Sequence, residues 1–164
     1  MNKKAIEIID VINEVTVMED VQPGFPDANG NTNVTWCNRA LYRILTWLNG
    51  KAELICEPRG ISWTNANSMV VNARKNLFKV IDGKIAQSRA NIGELVIAVA
   101  LNHNGSGHVA LVCPDLEIYS EQVGARIGQA GLKNGIMYAN QGFAHLFPIV
   151  EYYLVPLNEN GCSA

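Results

Sequence analysis

The sequence predicts an α+β fold with N-terminal helices packed on a C-terminal antiparallel β-sheet, and three observations predict it. Apolar residues recur with helical period in the first half, at Ala5, Ile8, Ile9 and Ile12 and again at Ala40, Leu41, Ile44, Leu45 and Leu48. The run Leu95 to Leu101, the turn Asn102-His103-Asn104-Gly105-Ser106-Gly107 and the run His108 to Cys113 read as a hairpin. Apolar runs near Ala125 to Ala130 and Ile149 to Leu157 add strands, so helices come first and the sheet second.

Residues near 3 to 15 make the first amphipathic helix. Turn formers follow, from Gln22-Pro23-Gly24 through Pro26-Asp27 to Asn29-Gly30-Asn31, and a loop of that length in a compact domain is often functional. The second helix opens in Asn33-Val34-Thr35-Trp36-Cys37-Asn38, with Thr35 as the expected cap, Cys37 in the first turn and Asn49-Gly50 as the stop. A third helix spans Ile61 to about Arg74, with Asn65 and Asn67 read as helix-start residues. A short fourth covers Lys84 to Asn91 and ends at Gly93. Trp36, Trp47 and Trp63 are core candidates, and Trp36 or Trp63 also suits the wall of a cleft.

A chain of 164 residues with 48% hydrophobic and 17% charged content supports one well-buried core, so residues 1–164 are expected to form a single domain. A net charge of -2 argues against binding nucleic acid or anionic lipid by charge alone. The longest apolar run, Leu95 to Leu101, is far short of the ~20 residues of a spanning helix. Lys3 and Lys4 resemble the start of a signal peptide, but Glu7 and Asp10 interrupt the apolar stretch that should follow. Synthesis in the cytoplasm without a signal peptide is therefore expected. Cys37, Cys56, Cys113 and Cys162 lack the spacing of a disulfide scaffold or a zinc site. Cys56 and Cys113 read as core and Cys162 as a bystander in a polar tail.

Cys37 reads differently. A helix start lowers a thiol's pKa, because unsatisfied backbone N–H groups and the positive end of the helix dipole favour thiolate. Acyl transfer by a thiol also needs an imidazole, a group that orients it, and donors for the oxyanion. His108 begins a strand just after a flexible Gly-Ser-Gly and suits the general base; its rivals are His103 in the turn and His145, expected to pack among aromatics. Gln129, on the next strand, is the choice for the orienting group, with Asn134 and Glu121 in reserve. The Cys37 backbone N–H is one oxyanion donor, and Asn31 or Asn33 is a candidate for the second.

Thr35-Trp36-Cys37-Asn38, Thr64-Asn65-Ala66-Asn67-Ser68-Met69, Gly93-Glu94-Leu95-Val96-Ile97-Ala98, Gly105-Ser106-Gly107-His108-Val109-Ala110-Leu111-Val112 and Gln129-Ala130-Gly131 together resemble the NlpC/P60 and CHAP peptidases, papain-like cell-wall hydrolases. The likeness spans roughly Asn31 to Asn134, and its most specific part is Gly107 to Val112. It implies a papain-like fold, Cys37 as nucleophile and His108 as base, with no metal or other cofactor. It also implies cleavage of peptidoglycan amide bonds, either within the stem peptide or between muramic acid and L-alanine. Trp36 and Asn38 depart from the Asp or Tyr before, and Ser after, the cysteine of many such enzymes. The expected partner is peptidoglycan or a muropeptide, met at the cell wall after export or phage release. No inhibitor or immunity protein is specified by the sequence. The same dyad also suits acyl transfer to an amine, and the same fold with an idle thiol suits binding.

Overall fold

Six consecutive buried residues decide the architecture. Every side chain of Leu95–Ala100 (β2) is shielded from solvent, which a strand achieves only inside a sheet covered on both faces. A computed structural model, describing residues 1–32 and 35–159, places it there. The other strands are Phe78–Val80 (β1), His108–Val112 (β3), Arg126–Gln129 (β4), Gly135–Tyr138 (β5) and Glu151–Val155 (β6). They form one six-stranded antiparallel sheet in the order β1-β6-β2-β3-β4-β5.

The described residues also hold five α-helices: Lys3–Thr16 (α1), Cys37–Trp47 (α2), Ala66–Asn76 (α3), Gly83–Asn91 (α4) and Ala139–Phe143 (α5). The chain is thus α+β, but the helices are not confined to one face. Ile8 and Ile12 of α1, Leu41 and Ile44 of α2, and Met69 and Val70 of α3 pack with Ile97, Val99, Val109 and Leu111. On the opposite face, Ala86 and Ala90 of α4 and Phe143 of α5 pack with Val96, Ala98, Ala110, Val112 and Ile127. The alternation of side chains along β2 and β3 feeds both cores. Each large aliphatic side chain in them stabilises the fold by about 1.5–3 kcal/mol relative to exposure. The expected two layers are therefore three, because α4 and α5 cross to the far side of the sheet.

The hairpin of β2 and β3 lies where the sequence puts it, with Ala100 opposite His108. Trp47, expected in the core, is 46% exposed. Cys56 is half-buried and Cys113 buried, and both are free thiols, as is Cys37; Cys162 and Asn33 lie outside the described residues. No helix among the described residues is long and apolar enough to cross a membrane.

Candidate active site

Helix α2 begins at Cys37, but its N-cap is Trp36 rather than Thr35, and no side chain caps it. The first-turn N–H groups are therefore not consumed by a capping oxygen. The backbone N–H groups of Val109 and Asn38 both favour the ionised form of the Cys37 sulfur. Val109 has this donor to give because β3 pairs with β4 only at Leu111 and Val112.

His108 is the imidazole that meets Cys37. The two side chains come from opposite sides of the sheet. Cys37 belongs to the core of α1, α2 and α3, whereas His108 lies on the face of Ala110 and Val112, with Phe143 packed edge-on at 4.9 Å between ring centres. They meet at the open end of β3. His108 Nε2 hydrogen-bonds Gln129 Oε1, which leaves Nδ1 for the thiol. The amide orientation of Gln129 is fixed from its other end, because its Nε2 donates to the Lys133 carbonyl at 3.0 Å and to Met137 Sδ at 3.3 Å. Gln129 Oε1 must then accept, so His108 Nε2 carries a proton and Nδ1 exchanges one with sulfur. Glycine at position 142 lets α5 close over this amide: a Cβ there would lie 2.6 Å from Gln129 Oε1.

The electrostatics follow from these contacts. Burial alone pushes the Cys37 thiol up. The hydrogen bond and charge of His108, with the Val109 and Asn38 N–H groups, more than offset it and leave the thiol below its ordinary value of 9.0. Burial likewise pulls His108 down, and the charge and hydrogen bond of Cys37, together with Gln129, raise it above 6.5. The two shifts are reciprocal, each side chain favouring the charged form of the other. By contrast, burial pushes Cys56 up to about 11 and Cys113 up to about 12.

The remaining candidates fall elsewhere. Asn134 does not reach the imidazole: its Nδ2 donates to the carbonyls of Thr16 and Val21 and its Oδ1 accepts from Gly131 N–H, tying the β4–β5 turn to the end of α1. Glu121 is exposed, in a turn beside Tyr119. Asn31 is exposed, and its backbone N–H donates to Asp27 Oδ1 at 2.9 Å. Trp36 is fastened to the preceding loop, its Nε1 donating to the Phe25 carbonyl at 2.9 Å and one ring face covered by the Arg39 guanidinium at 3.9 Å. His103 and His145 are both exposed, which for His145 replaces the expected aromatic packing. Asn65 does cap α3, accepting from Ser68 N–H at 2.8 Å. Asn67 does not; its side chain turns to the hairpin loop before His108. Asparagine at a helix start has the same signature in either role, so no sequence signal separates the two.

Among the described residues no three His, Cys, Asp or Glu side chains converge on a metal site. What the arrangement supplies is a thiol shifted down, an imidazole shifted up and held by an amide, and a helix start beside them. No protein-family model matches the chain, and no curated protein matches its sequence.

Proposed function

We propose that the protein is a papain-like cysteine hydrolase that cleaves amide bonds of peptidoglycan through a thioester on Cys37. The observation that carries the chemistry is the Cys37–His108–Gln129 line, in which a depressed thiol, a raised imidazole and an amide of fixed orientation act on one another. Cell-wall peptide as the substrate rests on the resemblance of the residues around Cys37 and His108 to cell-wall hydrolases.

The reaction runs in two halves. The thiolate attacks the scissile carbonyl carbon, and the carbonyl oxygen takes up negative charge beside the Cys37 backbone N–H. As the C–N bond breaks, His108 Nδ1 gives its proton to the departing amine, leaving a thioester on Cys37 and a neutral imidazole. Nδ1 then takes a proton from water, the hydroxide adds to the thioester carbonyl, and the carboxylic acid leaves as the thiolate re-forms. Gln129 holds the ring so that the same nitrogen faces sulfur in both halves.

Digestion of purified peptidoglycan followed by mass spectrometry of the muropeptides tests the reading. New peptide or lactyl termini are expected with the wild-type protein and none with Cys37→Ala. Unchanged fragments with both proteins, or cleavage that survives Cys37→Ala, would overturn it. Transfer instead of hydrolysis would appear as a mass gain when an amine is added.

A further inference from the structure

The start of α3 is hydrogen-bonded to segments that adjoin both members of the dyad. On one side Asn38, next in sequence to Cys37, donates its Nδ2 to the Thr64 carbonyl at 2.6 Å, one residue before the α3 cap. On the other side Asn67 grips the hairpin loop that delivers His108. Its Nδ2 donates to the carbonyls of Asn102 at 3.0 Å and Gly105 at 2.9 Å, and its Oδ1 accepts from Asn102 N–H at 3.0 Å. The approach is so close that a Cβ on Gly107 would stand 2.4 Å from Asn67 Oδ1 and 2.7 Å from the Ala100 carbonyl. Gly107 is the residue immediately before His108.

From this geometry we infer that Asn67 is a positioning residue: by fixing the Asn102–Gly107 loop to α3 it sets the placement of the His108 imidazole against the Cys37 sulfur. The inference rests on Cys37 being the nucleophile. Within this loop of six residues the Asn102 side chain accepts from Asn104 N–H at 3.0 Å and donates to the Ser106 carbonyl at 3.3 Å, but neither bond ties the loop to the rest of the fold. The three hydrogen bonds of the Asn67 amide do. Asn67 never meets substrate in this scheme. Its effect passes through the separation of two groups whose attraction falls with distance and with water entry.

Iodoacetamide alkylation of Cys37, followed by peptide mapping across pH, tests the inference on the full chain without any substrate. Wild type is expected to react with a midpoint below that of an ordinary thiol. Asn67→Ala should move the midpoint up by about one pH unit, which slows alkylation at pH 6 by about tenfold. Asn67→Ser, which keeps an acceptor and one donor, should fall between the two. Asn65→Ala removes the α3 cap without touching the loop, so it should lower the melting temperature and leave the midpoint in place. An Asn67→Ala protein with the wild-type midpoint and only a lowered melting temperature would overturn the inference. Should that variant fail to fold, an unchanged midpoint in Asn67→Ser does the same. A wild-type midpoint at the ordinary thiol value, with no variant moving it, would instead remove the nucleophile itself.

Discussion

Two buried cysteines stand at the two ends of β3, 3% and 1% exposed, and their thiols are shifted in opposite directions. Around Cys113 the backbone is fully engaged: its N–H donates to the Arg126 carbonyl at 2.8 Å and its carbonyl accepts from Gln87 Nε2 at 2.8 Å. The side chains there finish one another, as in the ion pair of Asp115 with Arg126 at 3.2 Å. At the Cys37 end the sheet stops short, a strand N–H is left over, and sulfur collects it beside an imidazole. Burial is common to both sites and raises both thiols, so burial does not distinguish them. The imidazole of His108 does, with the backbone N–H groups of Val109 and Asn38 adding to it.

Exchanging the two thiols for methyl groups should break the comparison most visibly. Cys37→Ala is expected to lower amide cleavage by at least about 10³-fold. Cys113→Ala should leave the rate within a few-fold of wild type while lowering stability by about 1–2 kcal/mol, read by chemical denaturation. Next in size, His108→Ala should cost roughly 10²–10⁴-fold in rate and return Cys37 alkylation to a higher pH. In wild type the rate should trace a bell: it falls on the acid side as the depressed thiol is protonated and on the alkaline side as the raised imidazole loses its proton. Gln129→Leu, which deletes only the support of the ring, should cost about 10–100-fold in rate and narrow the bell from its alkaline side.

The smallest effect separates activity from stability. Glu151 is desolvated, yet hydrogen bonds from Arg74, Tyr153 and Lys79 hold its carboxyl down at about 2 instead of 4.5. A depressed carboxylate stabilises the fold above its ordinary value and loses that contribution as pH falls from about 4.5 toward about 2. Arg74 and Lys79 are 44% and 60% exposed, so solvent screening keeps the worth of this cluster to on the order of 1 kcal/mol. Glu151→Gln should flatten the acid unfolding curve and leave the acid limb of the rate profile where it is. A shift of both together would link the β6 cluster to the dyad.

Strong periodicity made much of this legible. Ile8 and Ile12, Leu41 and Ile44, and the unbroken run of β2 carry their burial in their spacing, and the helices and hairpin they belong to stand within a few residues of where the sequence puts them. Gln129 was legible because a strand next to His108 has few polar residues to offer. β1 was not, since Phe78 and Lys79 face solvent and only Val80 is buried. Nor was β5, whose four residues are all half-buried and show no alternation. Asn134 misled because its amide is as suitable chemically as that of Gln129, and only three-dimensional placement sends it to the end of α1 instead of to the imidazole.

The dyad draws its thiol from the core on one face of the sheet and its imidazole from a strand residue that packs on Phe143 on the other. Neither half is competent alone. A chain still being synthesised holds a complete α2 long before Gln129 exists, and its thiol at that stage has no imidazole to ionise it. The chemistry proposed for this pair therefore belongs to the assembled fold, because it needs both helical layers in place on the sheet at once.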